Sequence, residues 1–308
     1  MKQYFKIILL LFISWNLIIE SSAQNDAEYF IKQGITAARL GYTEQALQNF
    51  NTAIYKDPTL PEAWYNRGVL YYKLGNFQKA LFDMDQAARI NSKQTNVFYQ
   101  RGLIYHALGN DSLAREDFRK TISLDTTMTD ALFNLGLIDF EHQNYEQALM
   151  NFDKLVKSDS KNTQALYHRG LCKHHLGRFF EAIADFDAAL ALLPNDAEII
   201  LSRGVAKAEA GYYYTAIEDF TRVIYLNPNY AEAYFNRAMA SFNLYKFAEA
   251  ESDYNMAYSI DSSAEALTGR GLSRLAQHQM DTGCADLKMA IELGYEPAIK
   301  YLMNYCKD

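Results

Sequence analysis

The sequence predicts an all-α fold built from tandem helix pairs, and three observations support this prediction. The dipeptide Arg-Gly recurs at a spacing of 34 residues, small residues recur at two fixed positions of the same period, and glycine or proline recurs where a helix would end. A fixed period of about 20 to 50 residues is typical of a repeat array. With 308 residues the chain is also long for a single globular core.

The arginine–glycine pairs define the repeat frame. They are Arg67-Gly68, Arg101-Gly102, Arg169-Gly170, Arg203-Gly204 and Arg270-Gly271. Gly34, Gly136 and Ala238 lie on the same grid, which gives eight units. The predicted spans are 27–60, 61–94, 95–128, 129–162, 163–196, 197–230, 231–263 and 264–295. We expect residues 24–308 to form one repeat domain.

Positions counted from the start of each unit have distinct physical roles. Glycine at position 8 and alanine at position 20 allow two antiparallel helices to approach closely, and large apolar residues at positions 4 and 24 are expected to fill the space on either side. Position 15 is glycine in five units, which suits the left-handed conformation that often follows a helix. Gln143, Tyr245 and His278 occupy it in the other three.

This pattern resembles the tetratricopeptide repeat. The second unit carries it most fully, with Trp64, Gly68, Tyr71, Gly75, Phe77, Ala80 and Ala87 at the positions of the family motif. The resemblance extends from residue 27 to about residue 297. It implies a right-handed superhelical solenoid whose first helices line a concave groove, and a non-catalytic role in binding other proteins.

The end of the chain predicts a capping helix over residues 296–307, because a repeat array must cover its open end. Pro297 suits the first turn of that helix. Cys284 lies about ten residues before the turn at Gly294-Tyr295, and Cys306 lies about eleven residues after it. In an antiparallel helix pair the two cysteines face each other, so we predict a disulfide between them.

Arginine at position 7 and aspartate at position 23 occur together in six units. The pairs are Arg67 with Asp83, Arg101 with Asp117, Arg169 with Asp185, Arg203 with Asp219, Arg237 with Asp253, and Arg270 with Asp286. The two units without this arginine carry Gln33 and Leu135, and they have Asn49 and Asn151 at position 23. Because the two charges appear and disappear together, we predict a structural ion pair within each repeat rather than a ligand site.

Positions 5 and 12 are rich in aromatic residues and, by the resemblance, face the groove. With the asparagines at position 6 they form the predicted partner-binding set: Tyr65, Asn66, Tyr72, Tyr99, His106, Phe133, Asn134, Phe140, Tyr167, His174, Phe235, Asn236 and Phe242. An asparagine amide can both donate to and accept from a peptide backbone, as in some peptide-binding members of the family. The alternative interpretation is that the rings pack on neighbouring units within the wall.

Catalytic, cofactor and metal sites are not expected. His168, Cys172 and His175 share one helix face and are of types that bind zinc, but a fourth ligand is missing and Cys172 fits a small packed position. The sequence contains no glycine loop for phosphates, nucleophile elbow or zincin motif. Lysine and arginine do not cluster, so the expected partner is a protein or peptide rather than a nucleic acid or a small-molecule substrate.

Residues 1–23 predict a cleavable secretory signal. Lys2 and Lys6 precede an apolar run over residues 7–19, and small residues precede a cut after Ala23. The run is shorter than the roughly 20 residues of a membrane-spanning helix, so we disfavour an uncleaved anchor and expect no membrane insertion after cleavage.

The sequence therefore predicts an exported protein, periplasmic or secreted. Its expected function is that of a scaffold that binds a peptide segment in its groove. The alternative is a structural component of a cell-envelope assembly that uses its convex face and edges.

Overall fold

The computed structural model describes residues 24–306, and this range contains seventeen helices and no strand. The first helices of the repeats are α1 (residues 24–39), α3 (Pro61–Lys73), α5 (Thr95–Ala107), α7 (Thr129–Glu141), α9 (Thr163–His175), α11 (Ala197–Glu209), α13 (Ala231–Asn243) and α15 (Ala264–Ala276). The second helices are α2 (Thr43–Lys56), α4 (Phe77–Ile90), α6 (Asp111–Leu124), α8 (Tyr145–Ser158), α10 (Phe179–Leu192), α12 (Tyr213–Leu226), α14 (Phe247–Asp261) and α16 (Met280–Glu292). The last helix is α17 (Pro297–Tyr305).

The chain divides into two compact units, residues 1–138 and residues 139–308, with the border inside α7. In the first unit α3 packs against α4 and α5 against α6, and α4 also packs against α5. The second unit repeats this order from α9 to α16. Each second helix packs against the first helix of its own repeat, and α10, α12 and α14 also pack against the first helix of the next. Each unit is therefore a stack of helix pairs, and α3, α5, α7, α9, α11, α13 and α15 begin at the predicted repeat starts.

The predicted signal, residues 1–23, lies outside the described residues. Among residues 24–306, no helix has both the length and the apolar character needed to cross a membrane.

The two helices of a repeat meet where an aromatic ring lies on a glycine. Phe118 is fully buried, and a Cβ atom added to Gly102 would lie 2.7 Å from its Cε1 atom. Gly204 and Phe220 repeat the contact at 2.6 Å. The large side chain thus covers the small residue instead of filling the space beside it, which corrects the expectation from the sequence. Glycine permits this because no other residue leaves room for a ring so close to the helix backbone.

All eight turns between first and second helices place position 15 in the left-handed region. Five of them use glycine, with φ between +71° at Gly177 and +84° at Gly211. The other three hold Gln143, Tyr245 and His278 at φ values of 59°, 61° and 62°. A side chain with a Cβ atom is strained in this conformation, so these three turns are less stable than the glycine turns.

Replacing Gln143 with glycine is expected to raise the free energy of unfolding by about 1 kcal/mol, because the strain of a left-handed residue with a side chain is removed. Thermal unfolding followed by circular dichroism measures the change. The matched control is Gly177→Ala, which should lower stability by a similar amount. No change in stability for either variant, or a loss for Gln143→Gly, would show that the turn conformation does not limit stability.

Arginine at position 7 joins the two helices of its own repeat and also contacts the preceding repeat. Arg101 donates from Nε and Nη2 to the two carboxylate oxygens of Asp117, at 2.7 and 2.8 Å. Its Nη1 atom donates to Asp85 of the preceding repeat at 2.8 Å. The guanidinium carbon also lies 5.4 Å from the centre of the Phe98 ring. One planar side chain therefore makes three kinds of contact at once.

The same two-oxygen contact is present in all six predicted pairs. The bond to the preceding repeat was not predicted, although the sequence contains a signal for it. Position 25 is a hydrogen-bond acceptor in every repeat that precedes an arginine: Asn51, Asp85, Asp153, Asp187, Thr221 and Asn255. Before Leu135, where no arginine follows, the same position holds Arg119.

Burial opposes the charge of these carboxylates. It raises the pKa of Asp83 and of Asp117, against the hydrogen bonds from their arginines, which lower it. On the other side of the pair, the hydrogen bond to Asp117 raises the pKa of Arg101. Because desolvation cancels much of the attraction, the pair mainly sets the register of the two helices. The fourth repeat does without it, and its Asn151 donates to Asp139 at 3.1 Å.

Asp253→Ala is expected to lower the free energy of unfolding by about 3 kcal/mol, because Arg237 would keep a part-buried charge without its carboxylate. The double variant Arg237→Leu, Asp253→Asn reproduces the residue types of the fourth repeat and should lose clearly less. Urea unfolding of both variants provides the measurement. If the double variant loses as much free energy of unfolding as Asp253→Ala does, the ion pair itself supplies net stability.

The disulfide and α17 close the end of the second unit. Cys284 and Cys306 are bonded, with their Cα atoms 5.8 Å apart. Helix α17 packs against α15 and α16, and its Ala298 lies in the same buried cluster as Leu267 and Leu287. The helix therefore covers apolar surface that a ninth repeat would otherwise cover. Among the described residues, the one free cysteine is Cys172, which is buried.

Cys306→Ser is expected to cost about 3 kcal/mol of stability, because the disulfide closes a loop of 22 residues. Thermal unfolding without reductant measures the loss, and wild-type protein with reductant should match the variant. Alkylation in denaturant gives an independent count of thiols. We expect one modified cysteine before reduction and three after it, and three at the outset would contradict the disulfide.

Candidate functional site

The first helices of neighbouring repeats touch, so their outward side chains form a continuous surface within each unit. In the first unit α3 contacts α5, and in the second α9 contacts α11, α11 contacts α13, and α13 contacts α15. We call the surface formed by positions 2, 5, 6, 9, 12 and 13 of these helices the first-helix face. Ten of the thirteen residues of the predicted partner-binding set lie on it, and Phe133, Asn134 and Phe140 hold the same positions on α7.

The predicted aromatic residues have one side packed and the other side accessible. At position 5, Tyr99 lies 5.9 Å from Phe118 and Tyr167 lies 6.0 Å from Phe186, measured between ring centres. Tyr65, Phe133 and Phe235 are half-buried in the same way. The sequence left groove and wall as alternatives. The ring contacts place these residues within the wall, and each ring also remains partly exposed, so groove binding stays a prediction.

At position 12 the rings pack on position 17 of the following helix. The pairs are Tyr72 with Phe77, Phe140 with Tyr145, His174 with Phe179, and Phe242 with Phe247, at 5.2 to 5.7 Å between ring centres. His106 differs, since its Nδ1 atom lies 2.7 Å from a carboxylate oxygen of Asp111. These contacts hold the side chains in place.

The asparagines at position 6 are engaged by their own helices. Asn66 donates to the carbonyl oxygen of Glu62 at 2.7 Å, and Asn134 donates to that of Asp130 at 2.8 Å. Asn134 also donates to the Tyr99 hydroxyl at 3.3 Å, while Asn236 is buried. Asn66 thus retains one amide hydrogen for a further partner, whereas both amide hydrogens of Asn134 are already in use, and the predicted role of these amides stays a prediction.

In the second unit, the first-helix face combines an apolar strip with carboxylates. Position 9 supplies Leu171, Val205, Met239 and Leu272, all at least partly exposed. Position 2 supplies the exposed residues Glu198, Glu232 and Glu265. The Tyr167 hydroxyl donates to Glu198 at 2.9 Å. Burial, together with this carboxylate, raises the pKa of Tyr167, so the hydroxyl remains a donor.

The first unit has a cleft on the same face. Its volume is about 210 Å³, and Phe50, Ile35 and Val69 line its apolar part. Arg39 and Lys73 lie at its border. This cleft lies between α1 and α3. Its charged lining residues are basic, whereas the exposed position 2 residues of the second unit are acidic.

The histidines and cysteine considered as zinc ligands have packing contacts. Cys172 lies in the core, and burial raises the pKa of its thiol to about 12. The His168 ring stacks on Phe152 at 5.3 Å, and the His175 ring stacks on Tyr145 at 4.4 Å. Burial lowers the pKa of both histidines.

Sequence reasoning missed an aromatic edge in the second unit. Phe180, Tyr212, Tyr214 and Tyr245 are all exposed at the turns between first and second helices of the fifth to seventh repeats. Phe180 lies 5.8 Å from Tyr212, and Lys246 lies 5.3 Å from the Tyr214 ring centre. The run Tyr212-Tyr213-Tyr214 indicates this edge in the sequence. Tyr212 and Tyr214, however, occupy positions at which the repeat motif has no preferred residue.

Family models of the tetratricopeptide repeat match this chain along most of its described length. A model described as TPR repeat matches residues 38–75, and models described as tetratricopeptide repeat match residues 61–93, 95–127, 133–197 and 201–265. None of these models describes an enzyme. No curated protein matches the chain.

Solved structures with the same fold include three tetratricopeptide-repeat proteins. The protein from Parabacteroides merdae is 21% identical with a TM-score of 0.57, and the match covers 81% of this chain and 99% of that one. The C-terminal part of a protein from Cytophaga hutchinsonii is 19% identical with a TM-score of 0.67, over 78% and 98%. YrrB, described as having an unusual peptide-binding site, is 22% identical with a TM-score of 0.55, over 60% and 95%.

These likenesses concern the fold, since each identity is below 25%. The family models add agreement in the residues of the motif, repeat by repeat, between residues 38 and 265. The chain is therefore built of tetratricopeptide repeats and belongs to that family of repeat proteins.

Proposed function

We propose that this protein is a non-catalytic scaffold that binds a peptide segment of a partner protein along its first-helix face. The observation that carries the proposal is the strip of partly exposed apolar residues at position 9, flanked by half-buried rings, on first helices that touch from repeat to repeat. Tetratricopeptide-repeat proteins generally mediate interactions between proteins, and YrrB is described as having a peptide-binding site.

The proposed binding uses surface that is already ordered. A ring such as Tyr99 is held by Phe118, so it loses little freedom when a partner covers its other side. Met239 is 40% exposed and can bury further apolar area. The Oδ1 atoms of Asn66 and Asn134 remain as acceptors for peptide N–H groups.

The second candidate is a structural component of a cell-envelope assembly that binds through its edges. The exposed aromatic edge around Tyr212 and Tyr214 favours this candidate, because exposed rings grouped together are typical of contact surfaces. It differs from the first candidate in the residues that a partner touches.

Export remains part of the proposal. The residue pattern of the first 23 residues supports it, and so does the disulfide between Cys284 and Cys306, because disulfides persist in oxidising compartments. Alkylation of protein purified from its native cells, before and after reduction, shows whether the disulfide forms there and so tests export.

A photo-crosslinking amino acid at Met239 is expected to capture a partner from an extract of the native cells. The matched control is the same amino acid at Met256, which belongs to the same repeat and is 39% exposed, but lies on the second helix. In protein without the crosslinker, Met239→Gln should weaken binding of the captured partner about three- to tenfold, since apolar contact is lost. Equal capture from Met239 and Met256 would count against the first-helix face, and capture only from a third crosslinker position, Tyr212, would favour the edge.

A further inference from the structure

The charge of this protein is distributed unevenly along the chain. Residues 139–308 contain 24 acidic and 16 basic side chains, whereas residues 1–138 contain 13 acidic and 14 basic ones. The negative charge of the whole chain therefore belongs to the second unit. The structure specifies which surface of that unit displays it.

Every lysine and arginine on the first helices α9, α11, α13 and α15 forms an ion pair with an acid of a second helix. Arg169, Arg203, Arg237 and Arg270 bind the aspartates at position 23. Lys173, Lys207 and Arg274, at position 11, reach the same aspartates at 2.7 to 2.8 Å. These seven cations are thus turned towards the second helices and neutralised there.

The acids of the same four helices are turned the other way. They are Glu198, Glu209, Glu232 and Glu265, and all four are exposed. Glu209 pairs with His174 at 2.9 Å. Within residues 24–306, no lysine or arginine pairs with the other three. The exposed charge of this face is therefore acidic.

The three acids form a row along the apolar strip. Tyr167 contacts Glu198 at 2.9 Å, and the charges of Glu232 and Glu198 both act on the pKa of Tyr230, after burial, which is the larger cause of its rise. An acid in the first turn also suits the positive end of a helix. Because the seven cations are held by the second helices, the carboxylates of the row stay available to a basic ligand.

We infer that the first-helix face of the fifth to eighth repeats binds a cationic, partly apolar peptide segment, with aliphatic side chains on the position 9 strip and lysine or arginine beside Glu198, Glu232 and Glu265. This inference rests on the proposed function and adds the chemistry of the partner. Packed helices lie about 8–10 Å apart, so four of them span about 30 Å, the length of roughly ten extended residues. Half-buried rings such as Tyr167 also favour cations near their faces.

The test uses the full chain and three fluorescently labelled peptides of twelve residues. They repeat Leu-Lys-Ser, Leu-Gln-Ser or Leu-Glu-Ser four times, so that only the charge differs. Fluorescence anisotropy gives each dissociation constant at low and at physiological salt. We expect the lysine peptide to bind about tenfold more tightly than the glutamine peptide at low salt and the glutamate peptide to bind most weakly, with a smaller difference at higher salt.

The variant E198Q/E232Q/E265Q should abolish the preference for the lysine peptide. Its matched control, E181Q/E218Q/E249Q, removes the same charge from exposed acids of the second helices α10, α12 and α14 and should keep the preference. Circular dichroism of both variants checks that the helices are retained. An equal loss in the control would show that net charge, rather than this face, attracts the peptide, and would overturn the inference.

The remaining outcomes separate the two proposals. If the three peptides bind equally and the crosslinker at Met239 still captures a partner, the first-helix face binds peptides but the preference for a cationic segment is wrong. If no peptide binds and Met239 captures nothing, both proposals fall.

Discussion

In six of the eight repeats, the packing of the two helices depends on one planar guanidinium group. Arg101 binds both carboxylate oxygens of Asp117, an acceptor in the preceding repeat and the face of Phe98. A flexible ammonium group could not hold all of these at fixed angles, whereas the rigid fork of arginine can. The contact joins the two helices of a repeat and fixes the position of the next pair. It is partly buried, so its main contribution is to register rather than to net stability.

The same pairing shapes the surface. Because the cations of the first helices are used inside the repeat, the carboxylates at their first turns face solvent without a basic partner, as at Glu232 and Glu265. The internal ion pairs and the acidic face are thus two consequences of one arrangement of charge. In the first unit, Arg39 and Lys73 lie at the border of a cleft on the corresponding face, so the two units offer different surfaces to a partner.

The rings of the first-helix face stabilise the fold and are also the residues proposed to contact a partner. Tyr99 and Tyr167 each rest on a buried phenylalanine of their own repeat, which stabilises the helix pair. The same contact leaves the other side of the ring fixed and accessible. The asparagines are constrained in a similar way, since Asn66 and Asn134 donate to their own helices, and Asn134 retains only its acceptor oxygen.

The sequence by itself determined the repeat number, the starts of the first helices from Pro61 onwards, the ion pairs and the partner of Cys284. Each of these follows from local spacing, because residues at fixed positions of a repeat meet in every copy. Only the tertiary structure decided which side of each ring is buried and which residue of the preceding repeat accepts the third hydrogen bond of each arginine. It also decided which exposed rings, such as Tyr212 and Tyr214, form an edge. These features depend on contacts between neighbouring helices and repeats, and a pattern read within one repeat does not contain them.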